Sequence, residues 1–323
     1  MNNKSFTYQS INDLSKLLKN KIISPVELTN HFLDKLENEG SNYNAVAHIN
    51  RSSAINQAKE AEANIMKNKY LGKLHGIPFA AKDLLSTDDG SPTSWGAKPF
   101  VNNVYNVEST VISNLKNSGA ILCAKTSMVE FAGGMGYQQP DASAFGPGIN
   151  PWNKAHWSGG SSSGSGSAVS AGLIPFAIGS ETWGSILSPA ANCGVTGLRP
   201  TFGVVSRYGS MVLSWTLDKI GPLAMSAKDT NIIIKHMMGK DEKDEYSINN
   251  KFNSTLKVSS DIKIGIPKNL NKSMQNEVTK NFESTMKILQ SKYQIIEIDL
   301  PSMPISAATR TILSAEVSSA FEN

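Results

Sequence analysis

Apolar side chains recur at helical spacing in the N-terminal part of the chain. Between Ile11 and Glu39, leucine and phenylalanine side chains lie three or four positions apart, which is typical of helices with one buried face. The pair Ser24-Pro25 interrupts this pattern and predicts the start of a second helix, because serine caps a helix and proline fits its first turn. We therefore expect a hairpin of two helices packed on the outside of a core.

Short apolar runs replace the helical spacing beyond residue 77. Residues 77–81 and 120–124 are predicted strands, and residues 110–118 between them are a predicted helix. The C-terminal part repeats the pattern as strand, helix and strand, at 262–266, 275–292 and 294–298. This alternation is typical of a layered α/β domain.

Glycine and serine dominate residues 158–170, and this composition alone would fit a flexible linker. The residues that follow, up to Ile178, are small or apolar and predict a helix and a buried strand. Glycines beside such elements let one backbone approach another inside a core. We therefore predict a packed segment here, with the linker as the alternative.

The composition is that of a soluble globular protein. Of the 323 residues 40% are hydrophobic and 18% are charged, and a formal net charge of +4 predicts neither a nucleic-acid nor a membrane partner. The sequence shows neither a signal-peptide pattern nor an apolar run of about 18 residues, so we expect a cytoplasmic location. Cys123 and Cys193 are predicted to be buried packing residues, and the charged run 240–245 a solvated surface loop.

Three motifs carry the candidate chemistry. Lys82 lies in His75-Gly-Ile-Pro-Phe-Ala-Ala-Lys-Asp83, Ser161 in Gly159-Gly-Ser-Ser-Ser-Gly164 and Ser185 in Gly179-Ser-Glu-Thr-Trp-Gly-Ser-Ile186. A serine hydroxyl is a weak nucleophile and needs a base that is neutral. A lysine qualifies when burial lowers its pKa, and the apolar run before Lys82 favours such burial. Taken singly, Lys82 could be a surface cation, and Ser161 and Ser162 could cap the following helix.

Together these motifs resemble the amidase signature family, to which the A subunit of glutamyl-tRNA(Gln) amidotransferase and fatty acid amide hydrolase belong. The separation of Ser161 and Ser185, 24 residues, matches the family pattern. Other segments that resemble the family follow in family order: Ile23–Thr29, Leu74–Pro78, Lys125-Thr126, Glu130-Phe131, Phe145–Pro147, Asn150–Trp152 and Cys193–Thr201. The resemblance implies an α/β fold with a mixed β-sheet core covered by α-helices on both faces. It also implies an N-terminal helical region, 1–70, and a catalytic core, 71–323.

The same resemblance implies a catalytic site. Ser185 would be the nucleophile, Ser161 would relay its proton after a cis peptide bond from Gly160, and Lys82 would accept that proton. The implied oxyanion and substrate-binding residues are Thr182, Trp183, Gly184, Ser185 and Ala132. The implied activity is hydrolysis of a carboxamide C–N bond through an acyl-enzyme, with no metal or other cofactor.

Several positions depart from the family pattern. Trp183 stands where the family has a glycine, so its indole could narrow or shield the acyl site, and Glu181 replaces a typical aspartate. Leu187 replaces an arginine that is expected in glutaminase-type members feeding ammonia to misacylated tRNA, which weakens that interpretation. Family members continue beyond the position of Asn323, so the C-terminal part of the core is expected to be missing.

The leading hypothesis is therefore an amidase that acts on a small-molecule amide, with no nucleic acid bound directly, no membrane and a homodimer as one option. The alternatives are a glutaminase like the A subunit of a glutamyl- or aspartyl-tRNA amidotransferase, and a subunit that is truncated and noncatalytic. One further class is an α/β-hydrolase esterase, because Gly160–Gly164 fits G-x-S-x-G with Ser162 as nucleophile. That class needs a downstream histidine, and the only one, His236, lies on a predicted ordinary helix.

Overall fold

The computed structural model describes residues 6–133, 138–249, 261–268, 270 and 274–322. The chain divides into two compact units. Unit 1 comprises Met1–Lys251 and Leu313–Asn323, and unit 2 comprises Phe252–Ile312. The candidate catalytic residues all belong to unit 1.

A mixed sheet forms the centre of unit 1. Its strands are β1 Val46–Ile49, β2 Pro78–Lys82, β3 Ile121–Thr126, β4 Phe176–Glu181, β5 Thr196–Gly197 and β6 Lys219–Ala224. They lie in the order β1-β3-β2-β4-β6-β5, with β2 parallel to both β3 and β4 and the other pairs antiparallel. The central strands β2 and β4 carry buried residues along nearly their whole length, which explains their continuous apolar runs.

Helices cover both faces of this sheet, as the resemblance implied. In unit 1 they are α1 Ile11–Lys19, α2 Pro25–Glu39, α3 Arg51–Met66, α4 Thr110–Asn117, α5 Ser163–Ser170, α6 Leu187–Cys193 and α7 Ala227–Met237. The two predicted N-terminal helices are confirmed, and α2 packs mainly against α3 and β3. Ser24 Oγ accepts a hydrogen bond from the N–H of Glu27 at 3.0 Å, and Pro25 begins α2. The proposed boundary between residues 1–70 and 71–323 stays a prediction.

The glycine- and serine-rich segment is packed, and the linker alternative is wrong. Every residue of α5 is buried. A Cβ at Gly164 would lie 2.6 Å from the backbone nitrogen of Ser127, and a Cβ at Gly166 would lie 2.8 Å from Cβ of Pro189. Both distances are far below van der Waals contact, so glycine is what allows α5 to lie against the sheet and α6.

Unit 2 contains the predicted strand, helix and strand. Strands β7 Lys263–Pro267 and β8 Gln294–Ile298 are parallel, and helix α8 Asn276–Gln290 connects them. Helix α9, Ile305–Ala320, follows and crosses the boundary between the units. The β-α-β prediction for this part of the chain is confirmed.

The charged run 240–245 is less solvated than predicted. Asp241 Oδ2 accepts hydrogen bonds from the hydroxyls of Thr110 at 2.6 Å and Ser206 at 2.5 Å. Asp244 is buried and forms an ion pair with Arg207 at 3.2 Å. The surface-loop prediction was therefore wrong for these two aspartates, because their partners come from distant parts of the sequence.

Cys123 and Cys193 are buried and form no disulfide bond, as predicted. Burial raises the pKa of the Cys193 thiol to about 12, so this side chain is an inert packing group. Among the helices of the described ranges, none combines the length and the apolar character that crossing a bilayer would require.

Candidate active site

Lys82 lies at the end of β2, in the middle of the sheet, and has no exposed surface. Its Nζ lies 2.7 Å from Ser161 Oγ and 2.9 Å from Ser180 Oγ. The predicted neighbour Ser161 is therefore in place, and the surface-cation alternative for Lys82 is wrong. Ser180 was missed by the sequence analysis. It lies on β4, and its position beside β2 follows from strand register, which the sequence alone does not give.

Burial lowers the pKa of Lys82 to about 7, and the negative charges of Asp218 and Glu181 oppose this effect. An ammonium group loses its hydration inside the sheet, and two neutral hydroxyls replace only part of it. A substantial fraction of Lys82 is therefore neutral near pH 7. A neutral amine at this position can accept a proton from the adjacent hydroxyl.

Ser161 lies in the segment that leads into α5 and is completely buried. The Gly160–Ser161 peptide bond is cis, as the resemblance implied. The Ser161 carbonyl accepts a hydrogen bond from the N–H of Val129 at 3.1 Å, which ties this segment to the chain just after β3. A Cβ at Gly160 would lie 2.8 Å from a methyl group of Val129, so the glycine permits this close approach.

Ser185 lies in the turn between β4 and α6 and is 2% exposed. Its carbonyl accepts a hydrogen bond from the N–H of Ser162 at 3.2 Å. This contact places the turn that carries Ser185 directly against the segment that carries Ser161. The structure thus brings together three segments that are far apart in the sequence.

Glu181 stabilises the turn around Ser185 through hydrogen bonds to its backbone. Its Oε2 accepts hydrogen bonds from the backbone N–H groups of Ile186 and Leu187, both at 2.9 Å, and its Oε1 lies 3.5 Å from Arg199 Nη1. The carboxylate has no exposed surface. These two N–H groups are therefore occupied, and the oxyanion donors that the resemblance implies lie earlier in the turn.

Thr182 begins that earlier part of the turn, and it forms hydrogen bonds with the consecutive residues Asp218 and Lys219. Its Oγ1 donates a hydrogen bond to Asp218 Oδ1 at 2.6 Å, and its carbonyl accepts one from Lys219 Nζ at 2.9 Å. Sequence reasoning missed both partners, because their proximity depends on the antiparallel pairing of β4 with β6. Trp183, the next residue, is 44% exposed, so its side chain reaches the surface of the site.

Ala132 lies in a short turn after β3 and is buried. Its N–H donates to the Val129 carbonyl at 2.9 Å, which links it to the Ser161 segment. The adjacent Phe131 lines a cavity of about 550 Å³. Its other apolar walls include Trp95, Phe100, Leu213, Val317 and Phe321. Ala132 itself is not among the residues that line this cavity, and its role in substrate binding stays a prediction.

The nucleophile-elbow alternative does not fit Ser162. Its hydroxyl donates to the Ser180 carbonyl at 3.2 Å and accepts from the Ser180 N–H at 3.3 Å, so backbone groups hold it. Ser162 precedes α5, but its side chain makes no capping hydrogen bond. In the described part of the chain, no group of three or more histidine, cysteine, aspartate and glutamate side chains is arranged to hold a metal ion.

Comparison with known proteins identifies the family of this chain. Residues 27–323 match the family model described as Amidase. The A subunit of glutamyl-tRNA(Gln) amidotransferase from Coxiella burnetii is 39% identical over 318 residues, which cover 96% of this chain and 65% of that protein. The same subunit of Legionella pneumophila is 38% identical over 307 residues, covering 92% and 62%. The chain belongs to the amidase family, and it spans slightly less than two thirds of the length of these curated relatives.

Solved structures show the same fold. Native peptide amidase from Stenotrophomonas maltophilia superposes with a TM-score of 0.86 and 28% identity, covering 98% of this chain and 67% of that one. The A subunit of glutamyl-tRNA(Gln) amidotransferase from Thermotoga maritima superposes with a TM-score of 0.83 and 28% identity, covering 99% and 68%. The mixed-sheet fold predicted from the motifs is therefore confirmed.

Proposed function

We propose that this protein hydrolyses the C–N bond of a carboxamide, with Ser185 as nucleophile, Ser161 as proton relay and Lys82 as base. Ser185 Oγ attacks the amide carbon as its proton passes to Ser161 Oγ and the Ser161 proton passes to neutral Lys82. The tetrahedral intermediate then collapses and the C–N bond breaks. Ser161 protonates the leaving nitrogen and recovers a proton from Lys82, which becomes neutral again.

The second half of the reaction uses the same groups. A water molecule attacks the acyl-enzyme carbon, and its proton passes through Ser161 to Lys82. The bond between Ser185 Oγ and the acyl carbon then breaks, and the proton held by Lys82 returns through Ser161 to Ser185 Oγ, which leaves Lys82 neutral. Backbone N–H groups of residues 182–185 are the proposed oxyanion donors in both steps, and each such donor contributes roughly 3–4 kcal/mol in comparable enzymes.

The observation that carries this proposal is the setting of Lys82. Its amine has hydroxyl partners, Ser161 at 2.7 Å and Ser180 at 2.9 Å, and burial lowers its pKa to about 7. A lysine that only stabilised the fold would be paired with a carboxylate, as buried charges usually are. A buried, hydroxyl-bonded lysine near its neutral form suits a general base.

Two experiments test the proposal. Incubation with a fluorophosphonate followed by peptide mapping should place the label on Ser185, because only an activated nucleophile reacts. A panel of simple aliphatic, aryl and peptide amides should show turnover that Ser185→Ala abolishes. Absence of both label and turnover would favour the alternative of a noncatalytic subunit.

The second candidate is a glutaminase that supplies ammonia to an amidotransferase. The names of the curated relatives favour it, since they are glutamyl-tRNA(Gln) amidotransferase A subunits. Leu187, which replaces the arginine expected in glutaminase-type members, argues against it. Including glutamine in the panel separates the two candidates, because a glutaminase would prefer it. A small-molecule substrate, a homodimer and a cytoplasmic location remain part of the proposal.

A further inference from the structure

Asp218 lies opposite the start of the catalytic turn because of strand pairing. Strands β4 and β6 are antiparallel, and Glu181 is the register partner of Lys219. The residue after Glu181 and the residue before Lys219 therefore meet just beyond the paired ends of the two strands. These residues are Thr182 and Asp218.

The carboxylate of Asp218 joins two segments. Oδ1 accepts the hydroxyl proton of Thr182 at 2.6 Å, and Oδ2 accepts the backbone N–H groups of Leu213 at 2.8 Å and Ser214 at 3.0 Å. The N–H of Asp218 itself donates to the Ser214 carbonyl at 3.0 Å. Asp218 thus closes the turn 214–218 and uses its remaining oxygen to hold Thr182.

The turn 214–218 is itself fixed from a second direction. Glu316, on α9, accepts hydrogen bonds from the Ser214 hydroxyl, from the Thr216 N–H at 3.1 Å and from Thr216 Oγ1 at 2.7 Å. Asp218 is therefore held in place from both sides. A carboxylate held in this way can fix the position of a side chain that donates to it.

From these contacts we infer that Asp218 is a positioning residue for amide hydrolysis, acting through the Thr182 hydroxyl to set the backbone of residues 182–185. The inference rests on the proposed function, because it assigns the oxyanion donors to this segment. A shift of about 1 Å in such donors lowers the rate by about 10²-fold. Asp218 touches no reacting atom, and it acts on the backbone of the turn through Thr182.

The charge of Asp218 has a second effect, on Lys82. The negative charges of Asp218 and Glu181 raise the pKa of Lys82 against the effect of burial. Asp83, next to Lys82 in the sequence, is paired with Lys125 at 3.2 Å, so these two charges offset each other. Removal of the Asp218 charge should therefore lower the pKa of Lys82 and move the acid limb of kcat/KM to lower pH.

The test compares Asp218→Asn, Thr182→Val, Thr182→Ser and the double variant Asp218→Asn with Thr182→Val. Both Asp218→Asn and Thr182→Val should lower kcat by about 10²-fold with KM changed less than threefold. The double variant should lose no more than the worse single variant, because both changes act on the same hydrogen bond between Thr182 and Asp218. Thr182→Ser, which keeps the hydroxyl, should have a kcat at least tenfold higher than that of Thr182→Val.

Asp241→Asn is the matched control. Asp241 also accepts two hydroxyl hydrogen bonds, from Thr110 and Ser206, but neither partner belongs to the catalytic segments. This variant should lose stability while kcat stays within twofold of wild type.

The pH dependence gives a second readout. The acid limb of kcat/KM should move to lower pH in Asp218→Asn and stay in place in Thr182→Val, which keeps the charge of Asp218.

The readout also separates this inference from the proposed function. The rate at which a fluorophosphonate labels Ser185 reports on the catalytic turn even if no amide in the panel is cleaved. Absence of labelling in wild type contradicts the proposed function. Two results would overturn the role of Asp218. One is that wild type and Thr182→Val are labelled at equal rates, and the other is that the losses of kcat in the double variant are fully additive. If Asp218→Asn fails to fold, the Thr182→Val and Thr182→Ser pair still decides.

Discussion

Lys82 and Lys125 lie on adjacent parallel strands, and both side chains are almost completely buried, but their partners differ. Lys125 Nζ lies 3.2 Å from Asp83 Oδ1 and donates to Thr93 Oγ1 at 2.7 Å. Lys82 Nζ donates to two serine hydroxyls. One sheet therefore contains a structural lysine that is paired with a carboxylate and a candidate catalytic lysine that is bound by hydroxyls.

This difference predicts opposite results for one substitution at two positions. Lys82→Met should lower amide turnover by about 10⁴-fold or more with an unchanged or higher Tm, because a costly buried amine is replaced by an apolar group. Lys125→Met should destabilise the protein by about 3 kcal/mol, because Asp83 would remain buried without its cation. Thermal unfolding and a hydrolysis assay on both variants check this. A stable and fully active Lys82→Met would remove Lys82 from the mechanism.

The pH dependence follows from the lowered pKa of Lys82. Below pH 7 the amine is mainly protonated and cannot accept the relayed proton, and above pH 7 it is mainly neutral. We expect kcat/KM to rise with pH through an apparent pKa of about 7 and then to level off. A pH–rate profile measured between pH 5 and pH 9 on one substrate checks this. A rate that does not change from pH 5 to pH 7 would contradict the assignment of Lys82 as base.

The choice of nucleophile can be tested with neighbouring serines. Ser185→Ala should abolish fluorophosphonate labelling, because the attacking oxygen is missing. Ser161→Ala should keep Ser185 but slow both labelling and turnover severely, since the relay is lost. In Ser162→Ala, the matched control, mass spectrometry should still find the label on Ser185. A label on Ser162 in wild type would instead support the nucleophile-elbow alternative.

Glu181 is expected to support the turn through its two backbone contacts. Glu181→Ala would leave the N–H groups of Ile186 and Leu187 buried without an acceptor, at a cost of about 2–4 kcal/mol. Glu181→Gln keeps an acceptor oxygen and should cost only about 1 kcal/mol, since the pair with the half-exposed Arg199 adds little. Urea denaturation of both variants measures the difference. Equal losses would show that the charge, and not the hydrogen bonding, matters.

The sequence predicted much of this structure because its signals are local. Ser24-Pro25 begins α2, apolar runs become β2 and β3, and the motif around Ser161 precedes a packed helix. The family resemblance predicted that Ser161 lies beside Lys82, and Lys82 Nζ lies 2.7 Å from Ser161 Oγ. Their roles, and that of Ser185, remain predictions.

Contacts that depend on strand register could not be predicted in the same way. Ser180 meets Lys82, and Asp218 meets Thr182, only because β2, β4 and β6 are neighbours in the sheet. The prediction of a solvated surface loop at 240–245 was wrong for two aspartates because their partners are also distant in the sequence. These aspartates bind hydroxyls and an arginine from remote segments, and no spacing rule connects them to those partners.

Helix α5 has a consequence for how this protein can vary. Its glycines lie so close to neighbouring backbone that even one added methyl group has no room. A stretch that by composition looks like the most permissive part of the chain should therefore accept the fewest replacements in a mutational scan. Sequence filters that discard such repetitive stretches would remove the residues next to the proposed proton relay.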